Sequence, residues 1–340
     1  MNYQKLIDQL NKIFSPTDKS VKQLEQVIQK YAKQQQADLS YFLENDNLQL
    51  NANADPKDVA LLLNELAEFK NTVENSEKDN QGISELCGII LNNLPYRTNA
   101  DLCHLKSRLN LAKLGVNVNT LIKQKQAEIE QKTANTIFNN VPPNRVDELG
   151  QRLANFNSTK YPYYNKLFKQ RALLRTSWQN ATDDTPIKLV FKQMQRTMID
   201  LDNIIDYKVQ NSVNYHSMKK DYEKVLNTNQ LQNLSEGNWQ SDVAKRYMTT
   251  QADLQRIFIT ECKARQTQVA GKSYQLQGYQ EEKIVSRHSS HVCRFCASLD
   301  GDTVKINEAV QGINVPPFHP NCCCNVIPVA MGYDDFFDDE

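Results

Sequence analysis

Two neighbouring segments decide how the C-terminal part of this chain folds: Cys-Arg-Phe-Cys-Ala-Ser-Leu-Asp-Gly at residues 293–301, and Val-Pro-Pro-Phe-His-Pro-Asn-Cys-Cys-Cys at residues 315–324. They hold five of the eight cysteines: Cys293, Cys296, Cys322, Cys323 and Cys324. Three of the five histidines lie in them or just before them: His288, His291 and His319. The remaining three cysteines (Cys87, Cys103 and Cys262) are scattered through sequence with helical periodicity.

The spacing of these residues predicts a tetrahedral metal site. Cys293 and Cys296 form a Cys-x-x-Cys pair, which presents two thiolates from one turn and is the usual half of a zinc site. Two of His319, Cys322 and Cys324 would complete a closed structural site, and the sequence does not say which two. Residues two apart in extended backbone point the same way, so Cys322 and Cys324 can share one metal while the cysteine between them faces away.

Reduced thiols or disulfides could also account for a cluster of cysteines. Reduced thiols can pack as a small core, whereas disulfides require an oxidising compartment. The first residues, Met-Asn-Tyr-Gln-Lys, do not begin a basic segment followed by an apolar one, as a secretory leader would. The spacing therefore favours a metal over both of these alternatives, which stay open at this point.

A turn and a short strand are expected between the two halves of the cluster. The Asp300–Gly301 pair has the composition of a tight turn, and Val304 and Ile306 alternate beyond it as in a strand.

The two segments resemble the C-terminal module of the phage Mu F-like head morphogenesis, or minor capsid, proteins. That family has a Cys-x-x-Cys, a Leu-Asp-Gly and a Pro-Pro-x-His-Pro-Asn-Cys-Arg-Cys ending, usually after an Arg-Thr-Glu on a helix. Thr260–Glu261 matches the Thr-Glu of that helix, and Gly278 matches a glycine that the family usually has before its first strand. Ile259 and Cys323 replace the usual arginines. The resemblance covers residues 250–328 and extends more loosely back to about residue 165.

The resemblance implies a virion structural protein that acts without catalysis. Its expected place is the virion interior near the portal, after assembly in the cytoplasm of the host bacterium. Its expected partners are the portal and capsid proteins of the same phage, with packaged DNA as a further possible partner and no membrane. Its expected task is to assist head assembly and genome packaging or delivery, with one structural zinc ion in the Cys/His module.

A metal-dependent nuclease or a DNA-binding zinc module is the alternative. A nuclease built on His319 would normally need a further histidine downstream, and His319 is the last one in the chain. Between Cys296 and His319 only Lys305 is basic, which is the wrong charge balance for phosphate contacts. Zinc deaminase and metalloprotease motifs, His-x-Glu and His-Glu-x-x-His, are absent from the sequence. Glu261 is expected to join its helix to the module by hydrogen bonding rather than to act as a catalytic carboxylate.

Composition and periodicity predict a mainly α protein with a small C-terminal α+β module, in which an elongated helical region precedes short strands around the Cys/His cluster. The 40 basic and 40 acidic residues balance, so no net field attracts nucleic acid from a distance. Helix starts are expected at Asp18, at Asp55–Pro56 and at Pro186, with helix ends near Gly115 and Ala270. Four segments are predicted: a helical N-terminal domain (1–141), a helical middle region (142–249), the module (250–330) and an acidic tail (331–340).

Overall fold

The computed structural model describes residues 2–43, 50–76, 83–91, 96–142, 186–211, 239–286 and 292–329. The helices within these residues are α1 (Tyr3–Ile13), α2 (Lys19–Leu43), α3 (Pro56–Ser76), α4 (Ile83–Leu91), α5 (Asn99–Asn140), α6 (Pro186–Asn211), α7 (Trp239–Leu276) and the short α8 (Arg294–Ser298). The strands are β1 (Glu281–Val285), β2 (Thr303–Lys305) and β3 (Asn325–Val329). The predicted mainly α fold with a small C-terminal α+β module is thereby confirmed.

The helix starts follow the capping residues that the sequence offers. The carboxylate of Asp18 accepts the Ser20 backbone N–H at 2.8 Å, and α2 begins at the residue between them. Asp55 likewise accepts the Lys57 N–H at 2.8 Å, and Pro56 occupies the first helical position. These interactions satisfy amide groups that have no partner within their own helix.

Apolar residues at helical spacing form the core, as predicted. On α1 the buried side chains are Leu6, Leu10 and Ile13. On α6 they recur along one face with a helical period: Val190, Phe191, Met194, Leu201 and Ile205. α1 and α6 therefore each pack through one apolar face, whereas α5 is buried on several sides, for example at Leu109, Leu111 and Leu114.

The prediction of a helix end near Gly115 is wrong, since α5 runs without a break from Asn99 to Asn140. A Cβ atom on Gly115 would lie 3.1 Å from the Phe191 ring and 3.2 Å from Met194 Cγ. The glycine therefore permits a close approach of α6 to α5 and does not terminate a helix. The prediction that α7 ends at Ala270 is wrong for a similar reason, because Gly271 lies inside the helix against the side chain of Glu282.

Alanine at two helical glycines should have opposite effects on stability. Gly88→Ala in α4 meets no atom within 4 Å and should stabilise the protein by about 0.5–1 kcal/mol through helix propensity alone. Gly115→Ala must displace Phe191 or Met194, and overpacking of this kind costs about 1–3 kcal/mol. Urea denaturation of the two variants measures the difference, and equal stabilisation by both would contradict the close packing at Gly115.

The chain divides into two compact units. The first comprises the described parts of Met1–Val21, Leu121–Thr185 and Arg256–Glu340, and the second those of Lys22–Thr120 and Pro186–Gln255. The first unit contains the sheet. The predicted segments 1–141, 142–249, 250–330 and 331–340 divide the chain differently, and they stay a prediction.

The sheet of the first unit is antiparallel, with β1 between β2 and β3. Glu282 pairs with Val304 on one side and with Pro328 on the other. Pro328 is tolerated because β3 is an edge strand. The buried Tyr274 of α7 donates its hydroxyl to the Val326 carbonyl at 3.0 Å, which fastens β3 to the long helix.

The expected turn at Asp300–Gly301 is present. Gly301 has a φ of +91°, and its N–H donates to the Ile284 carbonyl at 2.9 Å. The turn leads from α8 into β2, which contains Val304, whereas Ile306 begins a short 3-10 helix (Ile306–Glu308) instead of continuing the strand.

Several features named from the sequence lie outside the described residues: His288, His291 and the acidic tail at 331–340. Among the described helices, none is both long enough and apolar enough to cross a membrane.

Candidate metal centre

The first half of the cluster is a turn at the start of α8. Cys293 precedes the helix, and its Sγ accepts the backbone N–H of Cys296 at 3.3 Å. Cys296 is buried, whereas Cys293 is exposed. A hydrogen bond from N–H to sulfur of this kind favours the thiolate, which is the form that binds metals.

The second half is a turn that runs from His319 to Cys322. The Cys322 N–H donates to the His319 carbonyl at 3.1 Å, and Asn321 has a φ of +62°. This left-handed residue reverses the backbone directly before Cys322, whose Sγ lies 3.7 Å from Cys296 Sγ. Cys322 and Cys324 are both buried.

The fold brings all five predicted ligands together. The Nε2 atom of His319 lies 3.2 Å from Cys293 Sγ and 3.1 Å from Cys296 Sγ, and Cys296 Sγ lies 3.7 Å from Cys322 Sγ. Two overlapping trios result, in each of which the ligand atoms lie within 4.8 Å of one another: Cys293, Cys296 and His319, and Cys296, Cys322 and Cys324. Cys323 belongs to neither trio, and its sulfur donates to the Asn321 carbonyl at 3.4 Å.

These separations suit a tetrahedral ion. A zinc ion with bonds of about 2.3 Å to sulfur sets neighbouring sulfurs about 3.8 Å apart, and shorter bonds to nitrogen shorten the N···S edges. The 3.7 Å S···S distance is close to such an edge, and the two N···S distances, 3.2 and 3.1 Å, are shorter than the S···S distance. Each trio can therefore supply three ligands to one ion, and a fourth ligand would have to move closer from the other trio.

The protein fixes the orientation of the histidine ring. His319 Nδ1 lies 2.9 Å from the Pro320 carbonyl, which accepts hydrogen bonds only, so Nδ1 carries the proton. Nε2 is then the free lone pair, and it faces the two sulfurs of the Cys-x-x-Cys turn. A ligand whose other nitrogen is hydrogen-bonded in this way is oriented for metal binding.

The thiols of the cluster have different pKa values. A hydrogen bond with Cys324 lowers the pKa of Cys322 to about 5, and the same bond raises the pKa of Cys324. Burial raises the pKa of Cys296 to about 12. Several thiolates cannot be held close together in an apolar site by these hydrogen bonds alone. A bound divalent cation would supply the missing positive charge, because it deprotonates the thiols that coordinate it.

Apolar side chains cover the cluster. Val292 and Phe318 pack against the buried Cys296, Cys322 and Cys324. Phe295 meets Phe318 edge to face, with the ring centroids 5.7 Å apart. This cover limits the access of water to the three buried sulfurs.

The cysteines form no disulfides in this structure. All eight lie in described residues, and all eight are free. Cys87, Cys103 and Cys262 are buried within α4, α5 and α7, as their helical surroundings predicted.

The expectation that Glu261 hydrogen-bonds its helix to the module is wrong. The tie is made by its neighbour Thr260, whose Oγ1 accepts the Asn321 N–H at 3.2 Å. The side chain of Glu261 is half-buried on α7, and burial raises its pKa to about 7. No signal in the sequence separates the two neighbours, because only the rotation of α7 about its axis decides which of them faces the cluster.

A second carboxyl, that of Glu282, is buried although no sequence pattern predicted it. Glu282 is 2% exposed on β1, its Oε2 has no hydrogen-bond partner among the described residues, and burial raises its pKa to about 8. A Cβ atom on Gly271 would lie 2.9 Å from that oxygen. Three charged residues stand in succession on β1, Glu281, Glu282 and Lys283, so polarity could not identify the one that faces inwards.

The family described as Phage Mu protein F like protein matches residues 223–327 of the chain. All five clustered ligands lie inside the matched range, and the resemblance first seen in the Cys/His segments is confirmed there. No curated protein and no solved structure matches the chain.

Proposed function

We propose that the chain is a structural component of a phage head, and that a zinc ion bound by its Cys/His cluster closes the C-terminal module. The observation that carries the zinc proposal is the proximity of four thiols and one imidazole, which form two trios that share Cys296. Thiolate and imidazole ligands in tetrahedral geometry favour zinc over calcium or magnesium, which prefer oxygen.

Five donors compete for four positions in this site. Cys296 belongs to both trios and is therefore a ligand in every combination. Cys293 and His319 form one trio with it, and Cys322, at 3.7 Å from its sulfur in the other trio, is the proposed fourth ligand, which would move towards the first trio when the ion binds. Cys324 then acts through its hydrogen bond to Cys322.

A filled coordination sphere supports a structural role rather than a catalytic one. Catalytic zinc keeps one position for water or substrate, whereas structural zinc has four protein ligands. With five donors within reach, protein groups can occupy every position. Zinc would then contribute to folding a module whose three short strands offer a small core.

The proposed place of the protein is the interior of the virion, as a minor capsid protein at or near the portal. The match to the Mu F-like family over residues 223–327 supports the role in a phage head, and the place near the portal is proposed with it. Portal and capsid proteins are the partners proposed, and assistance in head assembly and genome packaging or delivery is the task proposed.

The zinc proposal predicts about one metal ion per chain. Protein purified without chelators should contain zinc in roughly equimolar amount when measured by plasma mass spectrometry, because the cluster forms one site. A well-folded protein with free thiols and no metal would instead favour a small core of reduced thiols.

The virion proposal predicts that the chain is found in purified particles. Mass spectrometry of density-purified phage should detect it at a constant ratio to the portal protein. Particles that lack the chain while the infected-cell extract contains it would remove the proposed location. This outcome would leave the metal proposal intact.

A further inference from the structure

We propose that Thr260 and Lys263, which lie one turn apart on α7, are positioning residues for the metal centre. They hold the two ends of the segment 321–325, which carries Cys322 and Cys324. This inference rests on the proposed zinc site and assigns to α7 the task of aiming two of its thiols.

Thr260 holds the first end of the segment. Its hydroxyl donates to the Arg256 carbonyl at 2.7 Å, so the lone pairs of Oγ1 are left to accept the Asn321 N–H at 3.2 Å. Asn321 has the left-handed φ of +62°, a conformation that a residue with a Cβ rarely adopts unless its surroundings hold it. The hydrogen bond to Thr260 stabilises the backbone at this reversal, directly before Cys322.

Lys263 holds the second end. Its ammonium group is buried and donates to Asn325 Oδ1 at 3.3 Å and to Gln266 Oε1 at 2.9 Å. The amide of Asn325 in turn donates to Asn11 Oδ1 of α1 at 2.8 Å. Asn325 follows Cys324 directly and begins β3, so these contacts fix the chain where it leaves the cluster.

The two attachments determine where the sulfurs point. Only three residues lie between Asn321 and Asn325, and the first and third of them are Cys322 and Cys324. A displacement of either end would rotate both thiols, because residues two apart in extended backbone share a direction. Metal affinity depends on how well the folded protein holds its ligands in the geometry that the ion requires, and the loss of one outer partner typically costs about 10–100-fold in affinity.

Thr249 provides a matched control on the same helix. Its hydroxyl donates to the Lys245 carbonyl at 3.2 Å, as that of Thr260 does to Arg256, and Thr249 is exposed. Thr249→Val therefore removes only the hydrogen bond within the helix. Thr260→Val removes that bond and the contact with Asn321, while Thr260→Ser retains both.

The experiment is a competition for zinc between the full-length protein and a chromophoric chelator. The chelator concentration that removes half of the zinc should fall about tenfold for Thr260→Val, and stay within about twofold of the wild-type value for Thr249→Val and Thr260→Ser. Lys263→Met, which keeps the aliphatic stem, should also lower it. Without metal, Thr249→Val and Thr260→Val should lower the thermal unfolding temperature of the protein by the same amount.

Equal resistance to the chelator in Thr260→Val and Thr249→Val would overturn the role of Thr260. The role of Thr260 would also be overturned if Thr260→Val destabilised the metal-free protein as much as it weakened zinc retention, since the substitution would then act through packing. Wild-type resistance in Lys263→Met would overturn the role of Lys263. A wild-type protein that takes up no zinc would overturn the zinc proposal itself, an outcome distinct from the preceding three.

Discussion

Cys296→Ser should abolish stable zinc binding and unfold the C-terminal module. Cys296 is the ligand common to both trios, and its sulfur is buried beneath Val292 and Phe318. Structural zinc supplies about 10–16 kcal/mol to small metal-dependent folds, far more than such a module gains from its own core. The loss in metal affinity should exceed the roughly 10–100-fold that follows the loss of an outer partner.

Cys323→Ser is the control for this variant. Cys323 belongs to neither trio, although it stands between two members of one of them. Zinc content and hydrogen exchange of the β1, β2 and β3 amides should match the wild type in Cys323→Ser and collapse in Cys296→Ser. Protected strand amides in metal-free Cys296→Ser would contradict the proposal that metal holds the module together.

Glu282→Gln should remove a fall in stability that the wild-type protein shows as the pH rises. Burial raises the pKa of Glu282 to about 8, whereas in an unfolded chain a glutamate titrates near about 4.3. Between these values the native state keeps a proton that the unfolded state has lost, so unfolding releases a proton. Stability from this group is complete below about pH 4.3 and is lost as the pH rises to about 8, by at most about 5 kcal/mol.

The measurement is urea denaturation of metal-loaded protein from about pH 5 to about pH 9. Zinc binding to thiolates has its own pH dependence, but it is common to both proteins and cancels in their difference. Glu281→Gln, on the more exposed face of the same strand, serves as the control. The stability of Glu282→Gln relative to wild type should grow with pH up to about 8. A constant difference would show that the Glu282 carboxyl is not held in its neutral form.

The sequence predicted the helices and the membership of the cluster because both depend on local patterns. Asp18 and Asp55 identify helix starts, since a capping side chain acts within three residues of its own position. Cys293 and Cys296 must lie together, because a single turn joins them. The stepping of Val190, Phe191 and Met194 likewise identifies one buried face without reference to the rest of the fold.

The two misplaced helix ends illustrate where such patterns fail. Gly115 marks one predicted helix end and Gly271 directly follows the other, at Ala270, which are positions where glycine often ends a helix. Each instead faces a side chain from another element, Phe191 in the first case and Glu282 in the second. A glycine that ends a helix and a glycine that allows another element to approach closely look identical in the sequence. Only the residue packed against the glycine in the folded chain distinguishes the two.

Residue patterns were enough to predict that this chain is mainly helical and that a Cys-x-x-Cys turn and a His-x-x-Cys-x-Cys turn lie close together, with donor atoms of the kind that zinc prefers. They could not show that Thr260 rather than Glu261 reaches the cluster, or that Glu282 rather than Glu281 is buried; the folded chain was needed for both. The physical reason is that capping, periodicity and ligand spacing act between residues close in the chain. Contacts with residues far away in sequence instead determine the rotation of α7 about its axis and which side chains of β1 point into the core.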